Sequence, residues 1–373
     1  MNQIINKSGV QERDVLLEVK GLKKHFPIEE GFLRKIVGHV KAVDGVDFYI
    51  REGETLGLVG ESGCGKSTLG KCILRGMEPT SGKIKLRHDG EMIDITSLTR
   101  HELRAMRRHM QMIFQDPFSS LNPRMTVLEI VGEPLTANNL MAGRELNDRV
   151  SYLMEVVGLD PKYLKRYPHA FSGGQRQRLG IARALASNPK FIVADEAVSA
   201  LDVSVQAQIL NLLRDLQEEF NLTFLFVSHD LSVIEHISDR VSVMYVGKVV
   251  ELAETEALFK SPKHPYTEAL LSAIPKANPE VTMERIILPG EIASPSAPPS
   301  GCYFHPRCKY AKDICKVQEP DWQEVEVGHF TLCHFAEELS LRGVDYQAAN
   351  RDLIQLEGTS QPIIEDHKPE DRS

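Results

Sequence analysis

Two groups of residues in this chain have the types and spacing to act on phosphate. Gly60-Glu61-Ser62-Gly63-Cys64-Gly65-Lys66-Ser67-Thr68 fits the pattern G-x-x-x-x-G-K-[ST], and Asp195-Glu196 closes an apolar run about 130 residues further on. In the first, glycines at 60, 63 and 65 open backbone angles closed to other residues. Successive N–H groups can then turn inward around phosphate oxygens at a helix N-terminus. Lys66 is placed to reach the β and γ phosphates, and the Ser67 hydroxyl to hold magnesium. The context agrees, because Thr55-Leu56-Gly57-Leu58-Val59 reads as an apolar strand and a helix is expected from Ser67.

The second group follows Lys190-Phe191-Ile192-Val193-Ala194, another buried-strand pattern. Such a run suits a central parallel strand whose C-terminal end opens onto the nucleotide site. Asp195 would complete the magnesium shell, and Glu196 would orient and activate the attacking water. Many strands end in acids, so the run gains its meaning only beside the phosphate loop.

The order of GESGCGKST, Gln115 in MIFQDP, FSGGQRQR from Phe171, FIVADEAVSALD and His229 in FVSHD resembles the ATP-binding cassette (ABC) ATPases. The resemblance runs from about residue 15 to about 275, and Ser172-Gly173-Gly174-Gln175 is its discriminating element. It implies that Gln115 contacts magnesium and the attacking water and senses a membrane partner. It implies that Ser172, Gly173, Gly174 and Gln175 cap the γ-phosphate of the nucleotide bound to a second ATPase subunit. Asp202, in Ser199-Ala200-Leu201-Asp202, corresponds to the loop that communicates between the two sites, and His229 to the histidine that holds the γ-phosphate. Phe26, in GLKKHF, matches the aromatic position that stacks on adenine. Taken alone, each has an ordinary explanation: His229 as a polar residue at a strand end, Gln115 as a loop glutamine, Phe26 as core. The family usually has proline after the catalytic glutamate, where this chain has Ala197; altered loop stiffness is expected from that, not lost hydrolysis.

The elements that must position these groups can be read coarsely. From Leu16 to about Lys85 short strands alternate with turns before the phosphate-loop helix, and the charged stretch Pro27 to His39 reads as a loop or hairpin extension. Residues from about 116 to 187 show helical spacing, as in Val150, Leu153, Met154 and Val157, and form the expected helical subdomain. Apolar strands at Phe191-Ala194, Phe224-Val227 and Val241-Val246 are separated by the amphipathic run Val205 to Phe220, which gives a parallel α/β core. The expected fold is therefore an α/β P-loop NTPase core with antiparallel β and helical subdomains, plus a small Cys-rich C-terminal extension. The expected division is an N-terminal tail at 1–14, the nucleotide-binding domain at 15–275, the Pro/Cys-rich extension at 276–337 and a polar, disordered tail at 338–373.

Composition sets limits. The 373 residues can hold a sizeable core, and a net charge of −8 argues against nucleic acid as the partner. No apolar stretch approaches the ~18 residues needed to span a bilayer, and MNQIINKSGVQERD lacks a secretory apolar core. A cytoplasmic protein that meets the membrane only through partners is expected.

Four of the six cysteines, Cys302, Cys308, Cys315 and Cys333, follow a Pro-rich segment ending Pro298-Pro299-Ser300. In a cytosolic protein such clustering favours a metal or iron-sulfur site over disulfides. The C-x5-C-x6-C spacing lacks the paired C-x2-C of structural zinc sites. A [4Fe-4S] cluster, a zinc ion assisted by His305 or His334, and unliganded thiols all stay open. The segment GEIASPSAPPSGCYFHPRC, with HPYTEALLSAIP before it, resembles the C-terminal extension of the oligopeptide and dipeptide branch of the cassette importers, whose cysteine pattern is associated with a [4Fe-4S] cluster. The Pro27 to His39 insertion leans toward the second ATPase (F-type) subunit of such systems.

The resemblance implies an ATP-hydrolysing subunit using ATP and Mg2+ at the cytoplasmic face of the membrane. It would work as an ATP-sandwich dimer with a second, different ATPase, on two permease subunits and, indirectly, an extracytoplasmic solute-binding protein. The competing class is a cassette ATPase of DNA repair or translation. No heptad run of repair-clamp length and no second cassette is present in the sequence, and the acidic balance disfavours both.

Overall fold

The computed structural model describes residues 14–32, 34–274 and 285–344. Strands β1 (Val15–Glu30) and β2 (Lys35–Arg51) form a long antiparallel hairpin whose register runs from Val15 opposite Arg51 to Glu30 opposite Lys35. The stretch from Pro27 to His39 is thus the hairpin's outer end. Short strands were expected here, but these are 16 and 17 residues long. Register shifts along the pair let strands of this length bend without breaking. With β4 (Ser81–His88) and β5 (Glu91–Asp94) they make a four-stranded antiparallel sheet, ordered β2-β1-β4-β5.

The larger sheet has the order β11-β12-β10-β9-β3-β8-β7-β6, in which β10 is Lys248–Glu254, β11 Gln323–Glu326 and β12 His329–Thr331. Its centre is parallel: β3 (Thr55–Val59), β6 (Met110–Ile113), β7 (Phe191–Asp195), β8 (Thr223–Val227) and β9 (Arg240–Tyr245). All residues of β3, β7, β8 and β9 are buried, as the near-continuous apolar runs require of a sheet covered on both faces. Arg240 is buried in this sheet because its guanidinium donates to Glu54, at 3.0 Å.

Helix α1 (Lys66–Ile73) follows β3, and α2 (Arg100–Arg107) starts on a Thr99/Glu102 capping box. Helices α3 (Val127–Ala137), α4 (Gly143–Val156) and α5 (Gly173–Leu185) pack as the helical subdomain. The Val150, Leu153, Met154 and Val157 positions all face its core. Helices α6 (Val203–Phe220) and α7 (Leu231–Ile237) complete the alternation with the parallel strands.

Beyond α8 (Thr255–Lys260) and α9 (Pro265–Leu271), the cysteine-bearing segment carries α10 (Asp313–Val317), β11 (Gln323–Glu326) and β12 (His329–Thr331). Strand β12 pairs antiparallel with β10 (Lys248–Glu254), so the extension continues the main sheet instead of forming a separate layer. The buried Glu251 carboxylate in β10 closes this seam, accepting from the His329 ring at 2.7 Å and from the N–H groups of Lys263 (2.5 Å) and His264 (3.0 Å).

The first residues of the expected tail, 338–344, are described. Residues 338–344 are packed: the Arg342 N–H donates to Glu268 (3.1 Å) and the Val344 N–H to the Phe259 carbonyl (2.8 Å), so the backbone has partners where a loose tail would have water. The expected tails at 1–13 and 345–373 lie outside the described residues.

Candidate active site

Four adjacent parallel strands end on one edge, and each delivers a candidate group. Strand β3 runs into the glycine-rich loop, β8 into Ser228-His229, β7 into Asp195-Glu196, and β6 towards Gln115. That is the edge at which open α/β sheets bind ligands.

The loop's shape depends on its glycines. At Gly60 (φ 153°) a Cβ would lie 2.1 Å from the Met244 carbonyl oxygen, and at Gly65 (φ 109°) 2.0 Å from that of Ala42. No other side chain fits the close approach of these strands. Gly65 caps α1 without a side-chain hydrogen bond, which leaves the first N–H groups of the helix to an anion. Lys66 is buried, and its Nζ donates to the carbonyls of Gly60 (2.7 Å) and Glu61 (3.1 Å), within the loop it is expected to share with phosphate.

The Ser67 hydroxyl donates to Asp195 Oδ1 at 2.8 Å, so the two proposed magnesium ligands already meet. Burial pushes the Asp195 carboxyl above its ordinary range. A hard divalent cation suits these two oxygen donors, since its charge would offset that penalty.

Glu196 sits between two partners. Gln115 Nε2 donates to its Oε2 at 2.6 Å, and His229 Nδ1 lies 3.4 Å from its Oε1. The glutamate backbone is left-handed (φ 48°), a conformation that costs on the order of 1–3 kcal/mol and persists where surroundings impose it. Here its N–H donates to the Val227 carbonyl, and its own carbonyl accepts from Ser199. Ala197 leaves Glu196 free of the restriction that a following proline places on its predecessor.

Helix α7 follows His229 and carries a buried carboxyl, Glu235, whose Oε1 has no partner. Burial raises its pKa from an ordinary 4.5 to about 7. Folding therefore takes up a proton between these values, and stability falls as pH rises from about 4.5 through about 7. Replacing Glu235 by Gln is expected to remove a penalty on the order of 1–3 kcal/mol at pH 8. Thermal unfolding should then shift upward by about 2–4 °C at pH 8 and stay unchanged near pH 4.5. The same pH slope in both proteins would contradict this.

The remaining predicted residues lie elsewhere. Ser172 caps α5 in a reciprocal box with Gln175 and is exposed, with Gly173 and Gly174 beside it at the helix start. A Cβ at Gly174 would lie 2.6 Å from Val205, so α5 and α6 meet closely there. Asp202 caps α6, and hydrogen bonds from the Val205 N–H and the Ser204 hydroxyl hold its carboxyl below the ordinary range. Among the described residues, no hydrogen bond joins Ser172–Gln175 or Asp202 to the phosphate loop. Phe26 lies half-buried in β1, with Lys24 Nζ 4.9 Å from its ring centre.

Two residues that touch the loop were not singled out from the sequence. The Glu61 N–H donates to the Tyr266 hydroxyl (2.9 Å), and its carboxylate accepts from Arg307 Nη1 (2.9 Å) and Nη2 (3.3 Å). They belong to the segments HPYTEALL and FHPRC. Only the fold brings them to the loop.

The four clustered cysteines, Cys302, Cys308, Cys315 and Cys333, line one small pocket of about 20 Å³ together with Phe304, His305 and His334. All are free thiols, and burial pushes Cys302 up to about 11 and Cys333 to about 12. Among the described residues, no three His, Cys, Asp or Glu side chains are gathered to hold a single metal ion. His305 and His334 each turn one ring nitrogen to a backbone carbonyl.

Comparison with known proteins places this geometry. Residues 43–199 match the family described as "ABC transporter", and residues 250–315 match "Oligopeptide/dipeptide transporter, C-terminal region". The chain is 54% identical over 325 residues to the oligopeptide transport ATP-binding protein AppF of Bacillus subtilis, covering 86% of this chain and 98% of that protein. It is 52% identical over 321 residues to the probable peptide ABC transporter ATP-binding protein y4tS of Sinorhizobium fredii, covering 86% and 90%. Among solved structures, the dimeric post-hydrolysis state of the ATP-binding cassette MJ0796 bound to ADP and Pi is similar, with a TM-score of 0.56 and 32% identity over 64% of this chain and 99% of that one.

Proposed function

The chain belongs to the ATP-binding cassette transporter family, in its oligopeptide and dipeptide branch, and we propose that it is the ATP-hydrolysing subunit that powers import of peptides or related small solutes. The observation that carries the reading is the placement of Glu196 between Gln115 and His229, on the same sheet edge as the phosphate loop and the Ser67–Asp195 pair.

In this proposal the loop from Gly60 to Thr68 cradles the triphosphate of ATP, and Phe26 stacks on the adenine. Lys66 leaves the loop carbonyls for the β and γ phosphates. Ser67, Asp195 and Gln115 would hold Mg2+, which supplies charge neutralisation at the phosphoryl oxygens when bound. Glu196 accepts the proton of the attacking water, and Gln115 and His229 fix the carboxylate's orientation. Ser172–Gln175, with Ser172 exposed at the start of α5 and no hydrogen bond from the segment to this chain's own loop among the described residues, would complete the site of a second ATPase subunit across a sandwich dimer. Asp202 would report between the two sites.

A cleft of about 600 Å³, lined among others by Gln111, Met112, Phe114, Glu133 and Arg183, lies between the core and the helical subdomain. Phe114 and Phe118 are exposed beside Gln115. Such exposed aromatics suit a protein partner, and we assign this face to a permease subunit. Among the described residues no helix is long and apolar enough to cross a membrane. The family match supports a peripheral subunit at the cytoplasmic face. The second ATPase is proposed to be a different chain, and the solute-binding protein to act only through the permeases.

For the four cysteines we propose a [4Fe-4S] cluster. The four line one pocket without being gathered as for a single metal ion, and it is the chemistry of ligation by four cysteine thiolates that suits a cluster. The pocket as it stands is water-sized, so the thiols would have to part to admit a cluster. Anaerobic purification with iron, sulfide and zinc assays tests this: iron and sulfide near four per chain support the cluster, and stoichiometric zinc or metal-free protein rejects it.

The functional reading is tested by mass spectrometry of what co-purifies from solubilised native membranes in ATP and magnesium. Two multi-spanning proteins and a second cassette ATPase are expected. Recovery of only soluble or nucleic-acid-associated partners would overturn the transporter reading.

A further inference from the structure

We propose that Arg307 and Tyr266 are positioning residues of the nucleotide site, through which the cysteine-bearing extension holds the phosphate loop in its binding-ready form; this rests on the ATPase reading above. Glu61, the second residue of the loop, is held at three points. Its N–H donates to Tyr266 (2.9 Å), its carbonyl accepts from Lys66 (3.1 Å), and its carboxylate takes two bonds from Arg307 (2.9 and 3.3 Å).

The two outside partners come from beyond the cassette's own motifs. Tyr266 lies on α9 and is wholly buried, while Arg307 sits in the turn between Cys302 and Cys308. Phe304 of that turn packs against the paired rings of Tyr245 (5.3 Å) and Tyr266 (5.4 Å) and against His264 (5.6 Å). The adjacent Tyr303 hydroxyl donates to Asp44 at 2.9 Å. The turn that carries two of the four pocket cysteines is therefore packed directly against the nucleotide-binding loop.

The charge arrangement gives this contact a consequence. A carboxylate at Glu61 sits in a loop built to receive a polyanion, and like charges at short range oppose binding. The paired Arg307 guanidinium offsets that charge and fixes its direction. Without Arg307, Glu61 keeps its charge and loses its anchor, so nucleotide should bind less tightly. Without Glu61's charge, the anchor is no longer needed.

The experiment is equilibrium binding of a fluorescent ATP analogue with magnesium, on the full chain. Arg307→Met is expected to weaken binding about 10-fold or more in the unmodified chain, and by less than about 3-fold when it is made in a chain that already carries Glu61→Gln. Tyr266→Phe, which removes only the hydroxyl, should weaken binding in the same direction without unfolding. Cys308→Ser should also weaken binding, and Glu61→Gln should rescue it in part. A purely structural role for Arg307 predicts no rescue in the double variant, and that result overturns the proposal. So does unchanged affinity in Arg307→Met and Tyr266→Phe. If the unmodified chain fails to bind nucleotide, the ATPase reading itself has failed.

Discussion

Replacing Glu196 by Gln is expected to lower ATP turnover by at least about 100-fold while leaving nucleotide bound. The Glu196 carboxylate, at the end of β7, accepts from Gln115 at 2.6 Å with His229 Nδ1 3.4 Å away, while the neighbouring Asp195 carboxylate is engaged by Ser67. Glutamine keeps the shape and loses the basic oxygen. The phosphate loop, Lys66 and the Ser67–Asp195 pair are untouched by the change, so affinity for ATP should fall by less than a few-fold. With hydrolysis blocked, an ATP-closed dimer should accumulate. Phosphate release, equilibrium ATP binding and size-exclusion chromatography in ATP and magnesium measure the three consequences. Turnover near that of the unmodified protein would remove Glu196 from the role of base.

Lys66→Ala has the other large expected effect, on binding instead of turnover. The ammonium is buried and donates to the carbonyls of Gly60 and Glu61, which orders the loop from within. Truncation removes both the order and the cation that pairs with phosphate. A charge-assisted contact of this kind is worth about 1.5–3 kcal/mol, so ATP affinity should fall about 10- to 100-fold. Titration with a fluorescent ATP analogue measures it. Unchanged affinity would contradict the assignment of the loop. The two variants separate binding from chemistry, since the first should bind without turning over and the second should fail at binding.

The parts of the fold that were legible are those coded by neighbouring residues. The phosphate loop, the apolar strand ending in Asp195-Glu196 and the Val150-Leu153-Met154-Val157 face each declare themselves within a short window, and each stands where that pattern implies. What escaped depends on distant pairing. The length of β1 and β2 follows from their pairing with each other, which no window over one of them contains. The contacts of Tyr266 and Arg307 with Glu61 join residues 205 and 246 positions apart. The cysteine spacing foretold a cluster of thiols and left its ligand open, because it matches no single coordination pattern. Packing of residues 338–344 was hidden for another reason: the polar sequence that follows set the reading of the whole tail, whereas Leu339, Leu341 and Val344 belong to a segment whose Arg342 and Val344 N–H groups find partners in Glu268 and Phe259.

The pairing of β12 with β10 also bears on how the chain avoids sticking to its own copies. Strand β10 is seven residues long, reads Lys-Val-Val-Glu-Leu-Ala-Glu and is buried over five of them. Without β12, that strand would be an open rim of unpaired N–H and C=O groups on an apolar ribbon, a template for strand addition by any neighbouring molecule. With it, the rim of the sheet becomes β11, four residues carrying Glu324 and Glu326. A short acidic rim repels its like. A chain cut at residue 275, at the apparent end of the cassette, would therefore be less a smaller ATPase than an aggregation-prone one.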